Sequence, residues 1–201
     1  MEYGEVRGLE RLLFVLGVSL LGGLLNALLS VANMAIASPF FFDSIFTAVV
    51  AALFGPLAGM ATALISHGFM ELFHNWNGQF MPFVVCNLAT GLIVGLFARS
   101  GGLRRPFGAA LAAVAVTLAN ALFGAIVAYY VFGGVTGHAS DYLVTGFIIA
   151  GQSLFSASFW ARVPANLIDK GLAVAAASVA FRVWASRREF SAPSPDCIDI
   201  Q

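Results

Sequence analysis

His67, Glu71 and His74 fall on one apolar stretch, and Arg162, Asn166 and Asp169 repeat the same i, i+4, i+7 spacing near the other end of the chain. On a helix advancing 100° per residue, each trio lies within about 60° of arc, on a single face. Ionisable groups at membrane depth are costly, so such groups face a partner, a ligand or both. Glu71 and Arg162 stand nearer the ends of their segments, with His67 and Asp169 deeper. If the two helices are neighbours, Glu71–Arg162 and His67–Asp169 pairs are expected. Mutual neutralisation and ligand contact are equally open for Arg162 and Asp169, while Glu71 and His74 point to ligand contact. His-x3-Glu-x2-His also carries imidazole and carboxylate ligands suited to nickel, cobalt or zinc, with no fourth ligand identified. The expectation is no bound metal and no cofactor.

Asp43 sits at the mouth of an apolar segment, directly after Phe40, Phe41 and Phe42. That segment, Ser44 to Phe54, ends at Gly55-Pro56, at about half of the roughly 20 residues a membrane span needs. An irregular, functional end is expected there. Trp76 between Asn75 and Asn77, and Trp160 beside Arg162, combine stacking surfaces with hydrogen-bonding groups, a mixture that suits a planar polar heterocycle. Asn120 reads as interhelical glue.

These residues need helices to hold them. Apolar runs and their punctuation give six: Leu12 to Ala37, Ser44 to Phe54, Leu57 to Phe73, Met81 to Ala98, Phe107 to Phe132, and a last one from Pro164 to Trp184. Proline suits the first turn of a helix, which places the start of the last one. Gly133 to His138 is a loop by composition, and Tyr142 to Trp160 reads as an outer loop with a short or re-entrant helix. Arg7, Arg11, Arg99, Arg104, Arg105, Arg182, Arg187 and Arg188 then fall on one side, which the positive-inside rule makes cytoplasmic.

The chain has 201 residues, 60% hydrophobic and 10% charged, against about 25% charged in a soluble domain. The expected fold class is therefore an all-α integral membrane protein with six transmembrane helices and both termini cytoplasmic. Residues 1–11 form a cytoplasmic N-terminus, 12–185 the substrate-binding membrane domain and 186–201 a disordered cytoplasmic tail. The first apolar run is read as a retained span, not a signal peptide. Ten basic and ten acidic residues leave no nucleic-acid signature, and Cys86 and Cys197 make no disulfide framework. Neither a phosphate loop, nor Gly-x-Ser-x-Gly, nor HExxH occurs, so no enzyme is expected. Small residues form rows, including Ser19, Gly23 and Ala27 in the first helix, which either pack the bundle or dock a partner.

Phe42-Asp43-Ser44-Ile45-Phe46-Thr47, Leu53-Phe54-Gly55-Pro56-Leu57-Ala58-Gly59 and Pro164-Ala165-Asn166-Leu167-Ile168-Asp169-Lys170 resemble the substrate-binding S components of energy-coupling factor (ECF) transporters, over most of residues 10 to 185. The resemblance implies a six-helix protein of a bacterial or archaeal cytoplasmic membrane. Such a protein binds a vitamin-like small molecule in an outward-facing pocket and works with a membrane T component and two ATPases. By position, the cap would be Ala37 to Asp43. The pocket would draw on Asp43, His67, Glu71, His74, Asn75, Trp76, Trp160, Arg162 and Asn166. The docking row would be Ser19, Gly23 and Ala27, where the family form is Ala-x-x-x-Ala. The expected function is uptake of a micronutrient, leaning to an aromatic heterocycle. The rivals are a membrane sensor domain, a purely structural subunit, and a transition-metal carrier using His67, Glu71 and His74.

Overall fold

Gly55 and Pro56 dictate the most unusual junction of the fold. Gly55 has φ +97°, a left-handed conformation that costs a β-carbon-free residue little, and Pro56 opens the next helix, where its missing N–H is harmless. The computed structural model describes residues 2–190, with side chains described from 8 to 187. Seven α-helices occur among them: α1 (Glu2–Ala35), α2 (Ile45–Phe54), α3 (Pro56–Phe73), α4 (Val84–Arg99), α5 (Pro106–Tyr130), α6 (Asp141–Ile149) and α7 (Leu154–Phe190). Single 3-10 turns, Met81–Phe83 and Gly102–Arg104, precede α4 and α5. Three helices are long and apolar enough to cross a membrane, Gly8–Ala35, Met81–Arg99 (its 3-10 turn included) and Pro106–Tyr130, while Ile45–Phe54 is apolar but short.

Helix α2 sits inside the bundle, touching α1, α3, α4 and α7, and its buried face is mostly small: Thr47, Ala48, Val50, Ala51 and Ala52. A helix of 10 residues spans about 15 Å, half the hydrocarbon layer. Small residues also let α3 and α4 meet backbone to backbone. A β-carbon on Gly91 would lie 2.8 Å from the Gly59 carbonyl carbon, and one on Gly59 would collide with the Ala51 β-carbon of α2. A greasy cluster of Val94, Leu103, Val116, Val174 and Phe181 fills the end of the bundle near the Gly102–Arg104 turn. There Arg182 Nε donates to the Leu103 carbonyl, and the Arg99 guanidinium lies against Gly55.

The structure corrects several expectations. The last helix begins at Leu154, ten residues before Pro164, which lies inside it. Inside a bundle, neighbouring groups tolerate the missing backbone hydrogen bond, so proline does not mark a start here. Tyr142 to Trp160 does carry the expected short helix, α6, but its remainder is mostly the first two turns of α7 and not a loop. Helix α1 already runs from Glu2, and α7 runs past Ser186 to Phe190; the remainder of the expected tail lies outside the described residues. The Ser19–Gly23–Ala27 row is spent within the chain. Ser19 Oγ donates to the Ala58 carbonyl, Gly23 abuts Ile65, and Ala27 is fully buried beside Met70. This face is closed by α3, so a partner cannot use it while the bundle is intact.

Candidate functional site

The segment from Phe42 to Thr47 is tied down by buried polar groups from three helices. Asn26 of α1 accepts from the Phe46 N–H and donates to Thr47 Oγ1, both at 2.9 Å. Asn87 of α4 donates to the Asp43 carbonyl at 2.9 Å. Lys170 of α7 ion-pairs with Asp43 and Asp169, each at 2.7 Å, and donates to Ser44 Oγ at 2.8 Å. Asp169 in turn accepts from the Phe42 N–H at 3.1 Å. Phe42 itself takes φ +48°, a conformation that a bulky side chain adopts only when its surroundings impose it.

Above this anchor lies a hollow of about 90 Å³. Its apolar walls include Met34, Phe41, Met70, Phe80 and Phe83, and its polar groups come from four helices and three loops. Asp43, His67, Asn120, Arg162, Asn166 and Lys170 all line it. The Phe41 ring stacks on the His138 ring, centroids 4.6 Å apart and planes 17° from parallel, joining the α1–α2 loop to the α5–α6 loop. A second, outer space of about 390 Å³ adjoins it, and Met34, Gly137 and His138 line both. Burial lowers the proton affinity of His138 below its ordinary value, and this outweighs the opposite pull of Asp141.

Of the nine expected binding residues, Asp43, His67, Arg162 and Asn166 converge on the hollow. The other five stand elsewhere. Glu71 is buried, but its carboxylate caps the α3–α4 turn: Oε1 accepts from the N–H groups of Phe80 and Met81 at 2.7 Å, and Oε2 from that of Gly78 at 2.9 Å. His74 lies against Phe80 with Nδ1 2.9 Å from the Met70 carbonyl. Asn75 and Trp76 form the left-handed exit of α3, with Trp76 64% exposed, and Trp160 is half exposed on the outside of α7.

The expected Glu71–Arg162 and His67–Asp169 pairs do not form. Glu71 is saturated by backbone donors, Asp169 is held by Lys170, and His67 Nδ1 lies 3.2 Å from the Ala63 carbonyl of its own helix. Nor do His67, Glu71 and His74 make a metal nest, since no group of three His, Cys, Asp or Glu side chains among the described residues could hold an ion.

Lys170, Phe41, Phe80, Phe83 and His138 are the site residues that sequence reasoning passed over. A signal existed for Lys170, which is four residues beyond Asn166 and so continues the same face. Phe41 fell within the expected cap without a role of its own, and Phe80, Phe83 and His138 stand in turns and loops, where an aromatic side chain reads equally as an interfacial residue or as packing.

An all-helical bundle with apolar membrane-length helices and a polar hollow under two loops defines a membrane protein built to hold a small molecule. The model of one family, described as ECF-type riboflavin transporter, S component, matches residues 18–181, and the chain belongs to that family. It is thus a transporter subunit and not an enzyme. No match was found among the curated proteins or among the solved structures.

Proposed function

We propose that this chain captures riboflavin or a closely related flavin on the outer face of a cytoplasmic membrane, and hands it to a T component driven by two ATPases. The observation that carries the reading is the family match over residues 18–181 together with a hollow whose chemistry suits a flavin. The isoalloxazine ring is a planar heterocycle with an apolar dimethylbenzene edge and a pyrimidine-dione edge, and it bears a ribityl chain of hydroxyls. Phe41, Phe80, Phe83 and Met70 offer the apolar faces, while Asn120, Asn166, His67 and the Asp43–Lys170 pair offer donors and acceptors. Small-molecule sites combine these two kinds of lining at about 300–1,000 Å³. The inner hollow is smaller than that. The wall it shares with the outer space must therefore give, and Met34 and His138 form that wall.

In this reading the ligand enters past the Phe41–His138 stack and rests on the anchored base of the loop. Wrong molecules are rejected because they leave buried polar groups unpaired. Six spans with both termini inside complete the proposal. The basic residues support that orientation: Arg99 and Arg182 lie at the bundle end away from the hollow, near the Gly102–Arg104 turn. The test is a flavin titration of the purified chain in detergent, read by quenching of flavin fluorescence. Saturable quenching at one flavin per chain is expected. No quenching, and no flavin among molecules extracted from the purified protein, would overturn the reading.

A further inference from the structure

Two cations are buried along the same face of α7, and the fold treats them differently. Lys170, 1% exposed, is flanked by two carboxylates and a hydroxyl. Arg162, eight residues earlier and 3% exposed, lines the hollow with one neutral partner, the Ser158 carbonyl, which NH1 reaches at 2.9 Å. Among the described residues no carboxylate comes within 4.0 Å of the Arg162 guanidinium. Asp141 of α6 acts on the guanidinium through its charge but not by direct contact, and its two oxygens accept from Thr136 and Gly137. The carboxylates of the lower cluster are bonded to Lys170.

Arginine remains charged in proteins, and a buried charge calls for a counter-charge as well as hydrogen bonds. The guanidinium carries five donors in a planar fork that fits two oxygens of one oxyanion. Gly124 of α5 keeps that fork in place by omission: a β-carbon there would lie 3.1 Å from Arg162 Cδ and 3.3 Å from Nε.

We infer that the ligand of this hollow carries its own oxyanion, seated on Arg162, and that among flavins the chain prefers the 5′-phosphate ester over riboflavin itself. This deepens the flavin reading and rests on it. A neutral ring carbonyl would satisfy one or two donors and bring no counter-charge into contact with the guanidinium. A phosphate ester supplies both.

The experiment titrates the full chain in detergent with riboflavin, with riboflavin 5′-phosphate, and with riboflavin plus inorganic phosphate. The ester should bind about tenfold tighter or better than riboflavin, roughly the worth of one charge-assisted contact. Arg162→Gln should erase that preference, bringing the affinities for the two flavins to within about threefold of each other, and Arg162→Lys, which keeps the charge, should retain part of it. Should Arg162→Gln fail to fold, Gly124→Ala serves instead, since it displaces the side chain and should shrink the same ratio. Equal affinity for the two flavins in the parent, or a preference that survives these changes, would overturn the inference and leave the flavin reading standing. A gain from free phosphate that equals the gain from the ester would also overturn it, because the anion would then arrive separately. Binding of neither flavin would overturn both.

Discussion

Lys170 Nζ and Asp43 Oδ1 meet at 2.7 Å across 127 residues of sequence, binding the base of the α1–α2 loop to the middle of the last helix. Neither group has an escape to bulk water, for Lys170 is essentially unexposed and Asp43 largely covered. Removing one member of a buried pair leaves an uncompensated charge, at about 3–5 kcal/mol. Lys170→Met should therefore lower the thermal unfolding midpoint in detergent sharply, because it strands Asp43 and Asp169 together. Adding Asp43→Asn and Asp169→Asn to it should restore most of the loss. A single variant as stable as the parent would show that the cluster is solvated.

Glu71 offers a separate test of cap against ligand contact. Its carboxylate holds three backbone donors of the α3–α4 turn. Glu71→Gln puts an amide donor against at least one of them, and hydrogen bonds to a charged group are worth about 1.5–3 kcal/mol. The expected outcome is a lower unfolding midpoint and faster proteolysis within residues 74–83. Ligand affinity should change by less than about threefold, since Glu71 does not line the hollow. A large loss of affinity at unchanged stability would restore Glu71 to the binding set.

His138 makes the cap sensitive to acid. Burial holds its folded pKa below the ordinary 6.5, so between those two values the unfolded or opened form binds more protons than the closed one. Closure is then fully stable above about pH 6.5 and weakens as pH falls through and below that value. Asp141, Arg162 and Asp43 are the charged groups facing it, and their effects are included in the net lowering. Ligand dissociation, measured by stopped-flow between pH 7.5 and 5.5, should accelerate on acidification in the parent. His138→Phe keeps the stack on Phe41 and should flatten the profile.

Gly91 tests the helix–helix contact beneath the site. A methyl group at this position would meet the Gly59 backbone at 2.8 Å, an approach that rigid backbone cannot relieve without separating α3 from α4. Gly91→Ala should destabilise the protein by about 1–3 kcal/mol, in the range for overpacked cores. Gly68→Ala, where the new carbon meets open space, should cost nothing comparable. Unfolding in detergent followed by circular dichroism would compare the two.

Much of the framework was legible in the sequence because its signals are local. Gly55-Pro56 announced the short α2, and apolar length announced α4 and α5 to within three residues. Pro164 misled because proline does open helices elsewhere in this bundle, at Pro56 and Pro106, whereas α7 runs on through Pro164, which lies exposed on its outer side. For the site, the polar residues on α7 were visible by spacing, but their partners were not. Asp43 lies 127 residues from Lys170, and nothing in one sequence states that the first loop folds onto the last helix. Glu71 shows the complementary limit: a buried carboxylate invites a ligand on paper, while three local backbone N–H groups claim it in space.

The clamp on Asp43 divides the α1–α2 loop into a firmly pinned end and a more exposed one. Residues from Phe42 onward are fixed by Asp169, Asn87 and Lys170, whereas toward the α1 end Ile36, Ala37 and Pro39 lie on the surface. Under the proposed function, admission would be a short swing about Phe42, which carries a left-handed twist, and the entropy surrendered on shutting would be confined to about half a dozen residues. A doorway hung this way can open for each passenger without loosening the pillars that carry the rest of the bundle.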